Sequence, residues 1–589
     1  MNFKLRLVAL LLVLIMCLSS CDIFGFINGS DTTTDPTTVT TTETPTTKPT
    51  TKKSTTSTSK TTKVTQPKLP VNDFDPSSSS ISKSQLEARY TLTAEEVDAT
   101  KALLANMLEL SLTTDDADAV GALHEQFETE FYHLIQQMTI STIIYYCDMI
   151  DQVATERYLG AREMVYDLQD AYNQTLRTMY LESPIRDELF EGWSEEEIQA
   201  LLEYDPAILE LKQEIDALEV QFDQLDTNSP SFNDDSVEIY KQMIIKNNQL
   251  AKLNKYENYY DYAAANVYDR DYLREDLGTF REYIVEYIVP YVEKVYDEFM
   301  VYQSWESKTN LSRLLEFVND AFYNTSSRNY VSAYLNSLEG TMGENMRDVF
   351  ESKNCVFSFS GNSHPTAFQT YLYEDDTPIC FFGSNGQSAN TVIHEIGHYY
   401  AAKTNNDIDN YDLCETHSQG NEFLFLTYVE TYMKPEVYDV VESFNLFNAC
   451  YVMIMATIID EFEQRVYLLD DETIASMTGK DFDDIMTSVC APYGGAPWIT
   501  NTLSDPYSYW RNVCISSAVY YISYAISASA AVNLYAIAQQ DYDAAIIAYT
   551  SLVEGITVED GFLGALAKAG LSNPFEEETF INIAGVLAE

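Results

Sequence analysis

The chain reads Thr-Val-Ile-His-Glu-Ile-Gly-His-Tyr-Tyr from Thr391 to Tyr400. It contains His-Glu-x-x-His on a helical pattern. Residues four positions apart share one helix face, so His394 and His398 can bind a single zinc ion. Glu395 lies beside them, where its carboxylate can accept a proton from an attacking water. Zinc lowers the pKa of a coordinated water and polarises a carbonyl group, and amide hydrolysis needs both effects.

The distribution of histidines along the chain supports a metal site in this region. The chain has six histidines, and four of them fall between His364 and His417. The alternative interpretation of His394 and His398 is a pair of packed or surface histidines on a helix. The spacing favours a metal site, with one zinc ion per chain, although Mn or Co could substitute.

A catalytic zinc site needs a third protein ligand and an open fourth position. Glu415 is the leading candidate, because a carboxylate on a second helix can complete two His and one Glu. His417 is the rival ligand. Glu422, two turns further on, is suited to orient a ligating imidazole. Asp412 and Glu430 are lesser candidates, expected to be solvated or structural.

Three motifs together carry a family resemblance. They are His-Glu-Ile-Gly-His at 394–398, Glu-x-x-Ser-Gln-x-x-Glu at 415–422, and Tyr-Tyr-Ile-Ser-Tyr-Ala at 520–525 followed by Ser-Ala-Ala at 529–531. The first two resemble the thimet oligopeptidase and oligoendopeptidase F family of zinc metallopeptidases. The third is similar to the Tyr-rich helix of the oligoendopeptidase F branch. Their order and spacing agree with the family across about 140 residues.

The resemblance implies a mainly α fold, in which a two-lobed helical shell surrounds a deep substrate channel that admits short unfolded peptides. It assigns the zinc ion to His394, His398 and Glu415. It assigns the role of general base to Glu395.

The resemblance also implies a role for the tyrosines. Tyr524 would donate its phenol proton to the oxyanion of the tetrahedral intermediate, with Tyr520 or Tyr521 assisting, and phenol donors suit that role. The alternative is plain core packing, since the chain has 43 tyrosines. The family commonly has a His shortly before the tyrosines, whereas here that place falls near Cys514 and no His follows His417. This departure leaves the way in which the oxyanion is stabilised open.

The rest of the folded part is predicted to be mostly helical. Patterns of period near 3.6 dominate from about Leu86, and capping boxes at Thr93–Glu96 and Ser194–Glu197 open two helices. Strand-like segments at Cys355–Phe359 and Thr377–Phe382 predict a small β-sheet next to the zinc helix. We expect a helical amino-terminal lobe over residues 86–300 and a catalytic region over residues 301–589.

Two further segments have alternative interpretations. No charged residue occurs between Arg511 and Asp541, but many Ser and Tyr side chains there would lack partners in lipid, which favours a buried helix over a membrane span. His364 precedes the strand-like Phe368–Tyr373. That segment could line the channel and pair with substrate backbone, or it could be an ordinary solvent loop.

The amino terminus reads as a lipoprotein leader. Residues 1–21 combine a positive start, a short apolar run and Leu-Ser-Ser-Cys ending at Cys21, which resembles the bacterial lipobox; an ordinary secretory signal is the alternative. Lipid on Cys21 would anchor the chain to the outer face of a bacterial cell membrane. Residues 22–85 are rich in Thr, Ser and Pro and are predicted to form a disordered stalk.

Charge excludes one class of partner. After residue 85 the chain has 26 Lys and Arg against 85 Asp and Glu. Such acidity argues against nucleic acid, and it either favours cationic peptides or serves solubility alone.

These observations support two functional hypotheses. The first is an extracytoplasmic zinc metalloendopeptidase acting on short peptides. The alternative is a non-catalytic surface lipoprotein that binds peptides and holds a structural metal. The missing His near Cys514 motivates the second hypothesis, and the intact Glu395 favours the first, because a structural site needs no base.

Overall fold

The structure is a computed structural model that describes residues 68–70, 79–226, 229–295, 328–384, 386–405, 410–495 and 509–588. The predicted leader with Cys21, most of the stalk and the expected lobe boundary at residue 300 lie outside the described residues. The described chain is mainly helical with one small sheet, as the sequence predicted.

The amino-terminal half consists of consecutive helices. Both predicted capping boxes are present: Thr93 and Glu96, and likewise Ser194 and Glu197, satisfy each other's backbone N–H groups at the start of a helix. The helix that begins after Thr93 continues to Thr113. The helices here are Lys83–Arg89, Ala94–Thr113, Ala117–Cys147, Gln152–Glu182, Arg186–Leu189, Glu195–Glu203, Ala207–Asp223, Phe232–Leu253, Tyr259–Asn266 and Arg274–Tyr283, the last continuing as a π-helical turn over Ile284–Ile288.

Three helices of the carboxyl-terminal half position the site. They are the motif helix (Ala389–Thr404), the Glu415 helix (Tyr411–Glu430) and the Tyr524 helix (Ile522–Gln540). The other helices are Arg328–Ser337, Gly340–Glu351, Pro435–Tyr467, Asp471–Ser476, Gly479–Cys490, Tyr509–Ser516, Tyr542–Glu554, Gly561–Ala569 and Glu577–Ala588, with 3₁₀ turns at Ala491–Tyr493 and Val558–Asp560.

A three-stranded sheet backs the motif helix. Its strands are β1 (Cys355–Phe357), β2 (Ala367–Leu372) and β3 (Thr377–Phe382), in the order β1-β3-β2. β1 runs parallel to β3, and β2 runs antiparallel to β3 with Phe368 opposite Phe381. The strand predicted to end at Phe359 ends at Phe357. β3 is buried except at its first residue and packs against the motif helix, which confirms the predicted position of the sheet.

Two main hydrophobic cores hold the helices together. The smaller joins buried side chains between Leu92 and Leu209, and the larger joins buried side chains between Leu218 and Ile583. The helix Phe232–Leu253 packs on the preceding helix Ala207–Asp223, and its buried side chains join those of Arg274–Tyr283 in the larger core.

The predicted buried helix after Arg511 is confirmed, because most of the Tyr524 helix is buried inside the protein. Within the described part of the chain, one helix segment, Val437–Tyr467, is long and apolar enough to cross a membrane. In its most apolar window, 72% of the residues are buried within the protein, and a core helix of a globular protein meets the same length and composition criteria.

Candidate metal centre

The motif helix is fixed at its start and buried along its length. The Ser388 side chain accepts a hydrogen bond from the Thr391 backbone N–H at 3.0 Å, so the helix begins at Ala389. Every residue from Ala389 to Tyr400 is buried. The rings of His394 and His398 lie edge to face with centroids 5.0 Å apart, on one side of the helix, as the spacing predicted.

Gly397 lets the Glu415 helix approach this face. A Cβ at position 397 would lie 2.7 Å from the His417 carbonyl oxygen and 2.8 Å from Ser418 Cα, closer than real contacts allow. The Asn421 amide also donates to the Ile393 carbonyl oxygen at 2.7 Å. The two helices therefore meet backbone to backbone at the metal motif.

This approach brings the three predicted ligands together. Glu415 Oε2 lies 3.4 Å from His394 Nε2 and 3.6 Å from His398 Nε2, and one ligand atom from each of the three residues lies within 4.8 Å of the others. Zinc–ligand bonds of 2.0–2.2 Å in a tetrahedron place neighbouring ligand atoms about 3.4 Å apart. Both distances from Glu415 fit that spacing, and the donor set suits zinc.

A surrounding layer of polar groups orients these ligands. Glu422 Oε1 lies 2.6 Å from His394 Nδ1, and its other oxygen accepts a hydrogen bond from the Asn390 amide. The bond to Nδ1 leaves His394 Nε2 for the metal, which is the role the sequence predicted for Glu422. On Glu415, the Ser418 hydroxyl donates to Oε2 at 2.9 Å.

Glu395 lies on the motif helix between the two histidines and is fully buried. It adjoins β3, because Cys380 Sγ donates to the Glu395 carbonyl oxygen at 3.6 Å. Burial, with the Glu395 carboxylate nearby, raises the pKa of the Cys380 thiol well above its usual value, so Cys380 is a neutral packing group. The sheet thus closes the side of the motif helix that carries Glu395.

The rival ligand candidates have other contacts. His417 Nε2 lies 2.9 Å from the Leu552 carbonyl oxygen, and burial lowers the pKa of His417 to about 4, so this side chain is a neutral packed group outside the ligand cluster. Asp412 is fully buried with the Arg270 guanidinium 4.0 Å away. Glu430 is exposed at the end of the Glu415 helix. Glu415 is therefore the candidate that the fold brings to the histidines.

The three tyrosines lie side by side at the start of the Tyr524 helix. The Tyr520 hydroxyl donates a hydrogen bond to Glu415 Oε1. The ring of Tyr524 meets the rings of Tyr520 and Tyr521 edge on, with centroids 5.1 and 5.4 Å away. Tyr524 is buried, and its backbone carbonyl oxygen lies 3.4 Å from the Gln419 amide nitrogen. The Tyr-rich motif is thus in contact with the second metal motif.

Cys514 stands near the place where the resemblance expects a His. Its side chain is buried, and burial together with the neighbouring Glu463 carboxylate raises the pKa of its thiol well above the usual value. A neutral thiol donates hydrogen bonds only weakly. Cys514 is therefore a poor replacement for the hydrogen-bond donor that the resemblance expects near this place.

A cleft lies next to Tyr520, whose hydroxyl contacts Glu415. It is lined by Tyr411 and Tyr520 on one side and by Lys212 and Glu219 of the helix Ala207–Asp223 on the other. An adjoining cavity shares Glu219 and reaches His364, whose ring packs on Tyr146 with centroids 4.6 Å apart. His364 therefore lines a small cavity, and the pairing of Phe368–Tyr373 with substrate backbone stays a prediction.

Sequence reasoning missed the charged residues of this cleft. In the helix Ala207–Asp223, Lys212, Asp216, Glu219 and Asp223 recur every three or four residues and so share one face. That spacing could have predicted a charged helix face. Arg270 contacts the segment before Tyr524, but it belongs to no periodic pattern of charged residues. The sequence therefore does not predict its position.

The fold is shared with solved peptidase structures. No protein-family model and no curated protein sequence matches the chain. The structure of PZ peptidase A with inhibitor 2 superposes with a TM-score of 0.66 at 18% identity, covering 84% of this chain and 97% of that one. An oligoendopeptidase F solved from microfluidically seeded crystals superposes with a TM-score of 0.64 at 17% identity, covering 85% of this chain and 97% of that one. An oligoendopeptidase F from Bacillus anthracis str. Ames superposes with a TM-score of 0.62 at 15% identity, covering 85% of this chain and 96% of that one. This chain therefore has the mainly α fold of these proteins.

Proposed function

We propose that this chain is a zinc-dependent metallopeptidase of the oligoendopeptidase type that hydrolyses internal bonds of short peptides. The observation that carries the proposal is the convergence of His394, His398 and Glu415, whose ligand atoms lie within 4.8 Å of one another, around a helix that also presents Glu395. A structural metal site would need the three ligands but no additional carboxylate beside them.

The residues present fit a zinc ion held by two imidazole nitrogens and Glu415 Oε2. When bound there, zinc would supply Lewis acidity, which lowers the pKa of water and polarises a peptide carbonyl. Glu395 would accept a proton from the attacking water and pass it to the leaving amine. Tyr524 would donate a hydrogen bond to the carbonyl oxygen as negative charge develops on it.

The substrate class rests on two supports. The solved structures of the same fold are described as a PZ peptidase and as oligoendopeptidases, which cut peptides. In this chain, Lys212 and Glu219 line a cleft next to Tyr520, so a peptide bound at the metal ligands could extend into that cleft.

We further propose that the enzyme works outside the cytoplasm as a lipoprotein. The lipobox-like Leu-Ser-Ser-Cys ending at Cys21 and the Thr- and Ser-rich stalk after it are the support for this location. Radiolabelled palmitate should enter the wild-type protein in bacteria and should not enter the Cys21→Ala variant.

The function is tested with Glu395→Gln, which keeps the size of the side chain and removes the base. Wild-type protein should bind about one zinc per chain and cleave a library of short peptides, as mapped by mass spectrometry. The variant should keep its zinc and its fold, while kcat falls at least about 100-fold. Glu351→Gln, at an exposed position at the end of another helix, serves as the matched control and should leave kcat unchanged.

The same experiment separates the alternative function. A peptide-binding lipoprotein with a structural metal would hold zinc and bind peptides while neither the wild type nor Glu395→Gln cleaved any of them. That result would remove the hydrolase proposal and leave the metal site in place.

A further inference from the structure

A strained turn precedes the tyrosines of the site. It connects the helix Tyr509–Ser516 to the Tyr524 helix and contains Val519, whose φ is +64°. A β-branched residue in the left-handed region is a conformational outlier, because its Cβ substituents crowd the backbone. Such a conformation persists only where surrounding groups hold it.

Three buried side chains hold this turn by its backbone. The Arg270 guanidinium donates from Nη2 to the carbonyl oxygens of Val519 at 2.7 Å and of Tyr520 at 3.3 Å. The Tyr268 hydroxyl donates to the Ala518 carbonyl oxygen at 2.5 Å. On the other side, the Val519 N–H donates to a Glu463 carboxylate oxygen at 2.9 Å.

Arg270 also connects this turn to the Glu415 helix. Its Nε lies 4.0 Å from an oxygen of Asp412, which precedes Glu415 by one helical turn, and Nη2 lies 3.2 Å from the Ser523 hydroxyl. The guanidinium is packed on the Tyr268 ring, 4.6 Å from its centroid. One buried cation therefore contacts both chain segments that meet at the ligand carboxylate.

The Tyr520 phenol and the two imidazoles lie against different oxygens of the Glu415 carboxylate. The Tyr520 hydroxyl, at the end of the turn, donates to Oε1. The other oxygen, Oε2, is the one that lies 3.4 and 3.6 Å from the two imidazole nitrogens. If the turn relaxed, the phenol would leave Oε1 and the carboxylate could rotate away from the ligand geometry.

We propose that Arg270 is a positioning residue, which holds the strained turn at Val519 and thereby keeps the Tyr520 phenol on Glu415 Oε1, so that Oε2 is presented to the metal. The inference rests on the proposed function, since it takes Glu415 as a zinc ligand. It adds a residue that lies 145 positions before Glu415 and touches neither the metal ligands nor the reacting atoms.

The test measures zinc affinity of the full-length protein by competition with a chelating dye. Arg270→Lys keeps the charge opposite Asp412 but removes the guanidinium donors, and Tyr520→Phe removes the phenol. Each should weaken zinc binding about 10- to 100-fold, the usual effect of losing a group that orients a ligand. The double variant should be no weaker than the poorer single variant, because both changes remove the same contact.

Arg281→Lys is the matched control. Arg281 is also paired with a buried carboxylate, that of Asp460, but it contacts no part of the turn. This variant should retain wild-type zinc affinity, whatever its effect on stability. If Arg281→Lys weakened zinc binding as much as Arg270→Lys, the effect would be general destabilisation and the inference would be wrong.

A second variant keeps the inference testable if Arg270→Lys folds poorly. Glycine adopts φ near +64° without crowding, so adding Val519→Gly to Arg270→Lys should restore zinc affinity at least threefold. Independent, multiplying losses in the double variant with Tyr520→Phe, or no rescue by Val519→Gly, would overturn the positioning role. Wild-type protein that bound no zinc would instead overturn the proposed function itself.

Discussion

The contact between Glu422 and His394 predicts how much a single charge contributes to zinc affinity. Glu422 Oε1 lies 2.6 Å from His394 Nδ1, and Asn390 donates to the other oxygen. In Glu422→Gln the amide oxygen can still accept from Nδ1, and a flip of the Asn390 amide preserves the second contact. The shape of the site is therefore kept and only the negative charge is lost.

The magnitude follows from the change of one hydrogen bond. A bond to a charged group contributes about 1.5–3 kcal/mol and a neutral one about 0.5–1.5 kcal/mol, so the loss should be about 1–1.5 kcal/mol. That corresponds to a zinc dissociation constant roughly 5- to 13-fold larger. Glu422→Ala leaves Nδ1 without this acceptor and should weaken binding further, by about 30- to 100-fold.

The assay is titration of zinc into metal-free protein against a competing chelator at pH 7.5. Glu430→Gln is the control, because Glu430 lies on the same helix at an exposed position and should not change affinity. Wild-type affinity in Glu422→Gln and Glu422→Ala would refute the reasoning that this carboxylate orients His394. A loss of equal size in Glu430→Gln would show that the effect came from net charge.

Three other perturbations have expected outcomes. Gly397→Ala places a methyl group 2.8 Å from Ser418 Cα and should lower the free energy of unfolding by about 1–3 kcal/mol in urea titrations. Gly160→Ala is the control, because no atom lies within 4 Å of the new Cβ, and it should not lower the free energy of unfolding. Tyr524→Phe should lower kcat about 100- to 1,000-fold in a quenched-fluorescence peptide assay while zinc affinity stays the same, and unchanged kcat would assign the ring to packing alone. Burial lowers the pKa of His364 from 6.5 to about 4, so between these pH values the unfolded state binds more protons than the folded state. The wild type should therefore lose up to about 3 kcal/mol of its free energy of unfolding as the pH falls from 6.5 to 4, and His364→Gln should lack this loss. Identical pH profiles of stability for the two proteins would contradict the effect of burial.

The pattern of agreement at the site has a physical explanation. The pairing of His394 with His398 needs only helix geometry, so the spacing of residues predicted it. Glu415 and His417 are both plausible ligands by type, and a sequence cannot say which face of the second helix approaches the first. The close contact at Gly397 decides this, because it turns Glu415 to the histidines and His417 towards Leu552.

The tyrosines show the limit of motif reasoning. Tyr520, Tyr521 and Tyr524 were grouped as possible oxyanion donors, yet the structure places the Tyr520 phenol on a ligand carboxylate. The motif gives their order along the chain but not the direction of each side chain. That direction depends on tertiary contacts, such as that of the Tyr520 hydroxyl with Glu415.

The features that could be predicted from the residues alone are local: the helical character of the chain, the capping boxes, and a helix that carries His394, Glu395 and His398. These follow from interactions among residues within about one or two turns of each other. Only the fold shows that Glu415 lies next to the two histidines, that charged residues line the cleft, and that Arg270 donates to the Val519 carbonyl oxygen, 249 residues away. Contacts between distant segments depend on how whole helices pack, and no short pattern of residues encodes that packing.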